Sequence, residues 1–270
     1  MLLRMSEPKQ VVVTVASGSH AERLDYTFSS FVRNQHLELH AYILGDELPR
    51  NQIPGIQYHL VAPDPAFQDP MRDLYYRRFL FVDELGADYA LIVDNSDVLC
   101  LQELPPLPAL LRGAMFAGCA EHEGGRYVLG QGYTGSYINA GVTFWNVQAS
   151  RKAREETVAR GRLQFRSVDD QLTLNEVLFT RYYDQIVLLP SQYNFRAHLA
   201  PLTIKGWPTV SHLDGVHIYH NSRCIEAVKQ LPPVKRHASL PALTPDTRPL
   251  SRWEKLKRKV RNRLQPHYVK

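Results

Sequence analysis

Two carboxylates, Asp94 and Asp97, stand three positions apart directly after an apolar run in the stretch YALIVDNSDVLC. Paired acids at the end of a buried strand can hold a divalent cation or face a nucleotide. Asp, Asn and Ser also favour turns and helix caps, so in isolation the stretch reads equally as a turn. The element beneath gives it direction. Residues 90–93 are too few for a helix and lack alternation, which fits a strand covered on both faces in a parallel sheet. In open α/β sheets ligands bind outside the carboxyl ends of such strands, where these acids fall.

The remaining elements follow the same logic. Residues 10–16 (QVVVTVA) form a β-branched run suited to a first strand, followed by a helix over 26–34 and a second strand over 39–44. A third strand is expected at 57–62. The segment 71–85 places Tyr75, Phe79, Val82 and Leu85 on one helical face. Further strands are expected at 114–120, 185–189 and 215–220, with helices at 149–161 and 168–181. YINAGVTFWNV reads as strand, turn, strand, and 121–136 as a Gly-rich loop. Strands alternating with helices imply βαβ units on a mainly parallel, Rossmann-like sheet flanked by helices.

At 270 residues, 44% hydrophobic and 22% charged, the chain can bury a large core and is neither disordered nor fibrous in composition. The first ten residues carry no apolar core of signal-peptide length, and no apolar run reaches the ~18 residues of a membrane span. The three cysteines are widely spaced, which fits reduced thiols in a cytosol. Net charge is +5, yet 248–270 holds nine Lys or Arg against one Glu, leaving the rest with 23 basic and 26 acidic residues. Such asymmetry argues against a nucleic-acid binder with basic residues spread over its fold, and for an appended docking segment. Clustered prolines from 232 to 249 mark a linker. Beyond it, Trp253, Leu256, Val260 and Leu264 share one face of a helix whose other positions include seven Lys or Arg. That pattern fits an amphipathic helix on an anionic membrane surface, or a solvated helix packed on the domain. Two regions result: 1–230, the globular domain, and 231–270, the linker and basic tail.

Five stretches occur in a telling order: VDNSD at 93–97, INAGV at 138–142, VDDQLTLN at 168–175, PSQYN at 190–194 and HIYHNS at 217–222. With this series the chain resembles glycosyltransferase family 8 over residues 9–225, a family of GT-A-fold retaining enzymes that use nucleotide-sugar donors. The resemblance implies a metal held by Asp94, Asp97 and His220. Mn2+ or Mg2+ suits carboxylate oxygens, and imidazole as third ligand tilts the choice toward manganese. His217 lies three residues earlier, on the opposite face of a strand from His220, and is expected to be structural. The family usually has one residue between its aspartates, whereas Asn95 and Ser96 separate them here. An Asp-x-x-Asp of this kind occurs in the glycosyltransferase domains of collagen-modifying lysyl hydroxylases.

The resemblance assigns further roles. Arg78 would orient a metal-binding carboxylate or clamp a phosphate through its fork. It adjoins Arg77 on a helix, so only one of the two points inward. Ala16 and Ser17 match the turn that contacts uracil, without the usual aspartate. Asn139, Ala140 and Gly141 would line the sugar end of the donor, small residues allowing close backbone approach; a β-bulge or tight turn explains them equally. Asp170 would accept bonds from sugar hydroxyls and Gln171 would lie near the anomeric carbon, although Asp169 and Asp170 also suit a helix N-cap. Gly-x-x-Lys-Pro-Trp, which follows the histidine in the family, is replaced by SRCIEAVK, where Arg223 would supply the lost charge.

The expected protein is thus a retaining, UDP-sugar-dependent hexosyltransferase of surface polysaccharide synthesis. It would pass galactose or glucose to a glycan or glycolipid acceptor, and its tail would hold it in the cytoplasm on the inner membrane face. The alternative is a sugar-nucleotide-binding or scaffold protein of the same fold without catalysis.

Overall fold

The computed structural model describes residues 7–24, 27–67, 69–95, 97–121, 137–163, 170–196, 198–199, 209–210, 213 and 215–220. The expected loop beyond Glu121, Asp169, Arg223 and the whole of 231–270 lie outside them. A seven-stranded sheet has the order β3-β2-β1-β4-β7-β6-β8. Its members are β1 (Gln10–Ser17), β2 (Glu38–Leu44), β3 (Ile56–Val61), β4 (Tyr89–Val93), β6 (Phe116–Ala120), β7 (Ile138–Asn146) and β8 (Ile186–Leu189). All pairings are parallel except those of β7, which runs antiparallel to both β4 and β6. A separate antiparallel pair joins β5 (Val98–Cys100) to β11 (Ile218–His220). The short β9 (His198–Leu199) and β10 (Thr209–Val210) pair in parallel.

Period-two alternation divides the core. Val11, Val13 and Val15 of β1, with Ala90 and Ile92 of β4, pack against α1 (Pro70–Phe81), α3 (Arg151–Leu163) and α4 (Asp170–Arg181). Val12, Ala16, Leu91 and Val93 face the other way, toward α2 (Leu107–Leu111), β5 and β11. The central strands are therefore covered on both sides, which is why β4 reads as an unbroken apolar run and β1 as one interrupted only by Thr14 between Val11 and Ala16, whereas the edge strand β3 is partly exposed. Residue 94 continues the even-numbered face of β4, so Asp94 emerges on the α1 side.

Two expectations need correction. The helix expected at 26–34 is a 3-10 helix over Phe28–Arg33, preceded by another over Gly18–Arg23. The turn expected within YINAGVTFWNV is absent: β7 is one strand, whose register against β6 shifts between Gly118 and Ala120. Across that shift the side-chain parity slips. Ile138 and Ala140 share a core with Trp145, while Val142 and Phe144 belong to the opposite one. The irregular stretch between these registers absorbs the difference, and Asn139 supports it locally by accepting a bond from the Gly141 amide at 3.1 Å.

Candidate functional site

Asp94, Asp97 and His220 converge where β4 ends and the β5/β11 pair begins. One ligand atom from each lies within 4.8 Å of the others. His220 Nε2 is 3.4 Å from Asp97 and 3.9 Å from Asp94. The antiparallel register sets His220 opposite Val98, next to Asp97 in the chain. Asn194 fixes the ring. Its amide nitrogen donates to Asn139 Oδ1 at 2.9 Å, leaving its oxygen to accept from His220 Nδ1 at 2.9 Å. With Nδ1 so engaged, Nε2 is the ring nitrogen turned toward the carboxylates, as in a metal-ligating imidazole whose other nitrogen is held by an outer partner. Gly141 matters equally. A Cβ there would sit 2.5 Å from Asp94 Oδ2 and closer still to the His220 ring, so only glycine lets β7 pass beneath both ligands. The donor set and its outer hydrogen bonds suit a hard divalent cation.

Arg78 is wholly buried and reaches from α1 across the sheet edge. Its guanidinium donates to Asp94, to Asp170 at 2.6 Å and to the Ala140 carbonyl at 3.0 Å. Burial by itself would lower its pKa, but the Asp170 and Asp94 carboxylates outweigh that and the net shift is upward. Arg77 turns away to pair with Asp73 and the Ala62 carbonyl, so the two neighbours face opposite ways as the helix requires. Tyr75, on the open side of α1, has its pKa raised by burial and then by Asp94. With Ala16, Ser17, His20 and Asn95 it lines a cleft running from the end of β1 to Asp94.

A polar cluster forms the far end. Gln171 Oε1 accepts from Asn139 Nδ2 and from the Ala140 amide, both at 2.9 Å. Its Nε2 donates to Glu121 at 3.1 Å, and Asn139 Nδ2 reaches the same carboxylate at 2.7 Å. Arg196 pairs with Glu121 from the other side. Asn175, fully buried, holds both the amide and the carbonyl of Ile138 at 2.7 and 2.8 Å, tying α4 to β7.

The sequence-derived assignments therefore meet in one place: Asp94, Asp97, His220 and Arg78 at the cation end, Ala16 and Ser17 at one side, and Asn139, Ala140, Gly141, Asp170 and Gln171 at the other. His217 lies apart, bonded to the Glu103 carbonyl at 2.8 Å and stacked on Tyr193. Glu121 was overlooked, though it follows a buried strand as Asp94 does, and that shared placement was its signal. Arg196 carried none.

This sheet order, with a cation-type cluster at its carboxyl edge, is the GT-A fold. No protein-family model and no curated protein sequence matches the chain. Among solved structures, the galactosyltransferase LgtC in complex with donor and acceptor sugar analogues is similar over 78% of this chain and 86% of its own, with a TM-score of 0.55 and 21% identity. An active-site mutant of LgtC gives 0.54 and 18% over the same shares. The bifunctional glycosyltransferase WbbM, without ligands, gives a TM-score of 0.54 at 14% identity over 81% of this chain and 46% of its own.

Proposed function

We propose that the chain is a retaining, metal-dependent glycosyltransferase that moves a hexose, galactose or glucose, from a UDP-sugar to a hydroxyl of a glycan or glycolipid. The observation that carries this reading is the convergence of Asp94, Asp97 and His220 at the strand edge, joined through Arg78 to Asp170. LgtC, similar in fold, was solved with donor and acceptor sugar analogues. Asp94, Asp97 and His220 would hold Mn2+ or Mg2+, which supplies positive charge to a departing diphosphate.

The chain's own residues do the rest. The cleft beside Ala16, Ser17 and Tyr75 receives the nucleoside. Arg78 keeps Asp94 aimed at the cation and Asp170 aimed at the sugar, where its carboxylate accepts from hydroxyls. Gln171, locked by Asn139 and the Ala140 amide, presents its amide near the anomeric carbon. Glu121 is engaged by Arg196, Asn139 and Gln171, which suits orienting that amide rather than attacking the sugar. The acceptor hydroxyl then attacks from the side the phosphate leaves, and its proton passes to that phosphate. The basic tail would hold the enzyme on the inner face of an anionic membrane, beside lipid-linked acceptors of surface polysaccharide synthesis.

A thermal-shift screen of UDP-hexoses, each with and without manganese, tests the reading. Stabilisation that needs both, with slow release of free hexose, is expected; no shift with any UDP-sugar in manganese rejects it. The widened Asp94–Asp97 spacing favours a second reading, a sugar-nucleotide sensor, which predicts stabilisation with no hexose released.

A further inference from the structure

In an extended chain, side chains two apart point the same way and those three apart point oppositely. Asp94 and Asp97 are three apart, yet their carboxylates and His220 present atoms within 4.8 Å of one another. Something other than strand alternation must bring them together, and the contacts of Asn95 show what holds this stretch. Asn95 is buried at 8% exposure. Its Nδ2 donates to the His20 carbonyl at 3.1 Å, and its own carbonyl accepts from the buried Thr27 hydroxyl. Both partners belong to the segment behind β1. The same segment reaches the far side of the turn, because Ser30 Oγ accepts from the Cys100 amide at 2.8 Å. On the near side, the Asp94 amide is held by the Gly141 carbonyl at 2.8 Å.

We propose that Asn95 is a positioning residue for the cation: its two tethers pin the Asp-x-x-Asp turn to the segment behind the first strand and so set Asp94 and Asp97 on one centre. The inference rests on the cation site proposed above. It also links the two ends of the cleft, since His20 lines the same cleft as Asp94.

The test titrates Mn2+ into the full chain without nucleotide, following free Mn2+ by electron paramagnetic resonance, in wild type, Asn95→Ala and Thr27→Val. Each variant removes one tether, and Thr27→Val does so without changing shape, so it decides alone if Asn95→Ala does not fold. Loss of a residue that orients ligands costs roughly 10–100-fold in metal affinity, and about tenfold weaker binding is expected in each. A merely structural role would lower the melting temperature and leave the affinity of the folded protein unchanged. Affinities within about twofold of wild type overturn the proposal while leaving the cation site standing. No Mn2+ uptake by the wild type removes both.

Discussion

Replacing Gly141 by alanine adds one methyl group at the most crowded point of the site. The new Cβ would lie 2.5 Å from Asp94 Oδ2, where ordinary contact begins near 3.4 Å, so something must retreat by close to 1 Å. Neither neighbour is loose. Asp94 is gripped by Arg78, and the His220 ring by Asn194 at 2.9 Å. The displacement therefore falls on the two ligands themselves. A misplacement of about 1 Å costs on the order of a hundredfold in rate, and overpacking about 1–3 kcal/mol in stability. Gly161 supplies the control: a Cβ there would meet Cε1 of the Tyr76 ring at 2.5 Å and Cδ1 closer still, and none of Asp94, Asp97 and His220 is among its nearest neighbours. Calorimetric Mn2+ titration and chemical denaturation of both variants separate the effects. Gly141→Ala should lose Mn2+ affinity and transfer together, whereas Gly161→Ala should lose stability alone. A Gly141→Ala protein with wild-type Mn2+ affinity refutes the argument that these two side chains form the cation's seat.

Three other outcomes are expected. Asp97→Ala, which removes a ligand from a half-exposed turn, should keep the melting temperature within a few degrees and abolish transfer; undiminished transfer rejects the metal assignment. Burial first, and mutual repulsion for His40, lower the pKa of both His40 and His59, whose rings stack with Nδ1 and Nε2 2.9 Å apart, Glu38 partly offsetting this at His40. The unfolded chain thus takes up protons first as pH falls below the ordinary histidine range, and stability drops there; melting curves at pH 7.5 and 5.5 should show a shallower loss in His59→Phe than in wild type, and equal losses count against it. Truncation after residue 230 should weaken binding to anionic vesicles, at about 1 kcal/mol per basic residue lost from the surface, and spare turnover on a soluble acceptor; equal vesicle binding defeats the membrane proposal.

The central strands were legible because burial on both faces demands long apolar runs: β4 is YALIV, and β1 and β2 are mostly apolar, with Thr14 and His40 the polar residues inside their runs. The helix expected over 71–85 was legible through its spacing, although α1 ends at Phe81 and Val82–Leu85 form a separate 3-10 helix. A strand was expected at 215–220 and β11 occupies its last three residues, but β5 was not expected: it is three residues long and owes its existence to pairing with β11 more than a hundred positions away, which no local pattern records. The irregularity in β7 was legible in part, since a β-bulge or a tight turn accounted equally for Asn139–Gly141, but the division into two strands was not borne out. Asn-Ala-Gly carries turn chemistry, and here that chemistry bends a strand without ending it. Among site residues, Asp94, Asp97 and His220 were visible as chemical types in a recognisable order. Asn194 was visible as part of a motif, but its task of fixing the imidazole needed coordinates. Asn95 looked like a mere spacer between two acids, and only its partners at residues 20 and 27 give it a purpose.

The pairing of β5 with β11 has a consequence for the nascent chain. During vectorial synthesis both acids emerge from the ribosome more than a hundred residues before His220 does. Until that imidazole docks, the proposed centre has its two carboxylates and lacks its third ligand. On the proposed cation reading, the three groups can meet only once β11, the last of the described strands, has been made, so tight capture of a cation would be deferred until then.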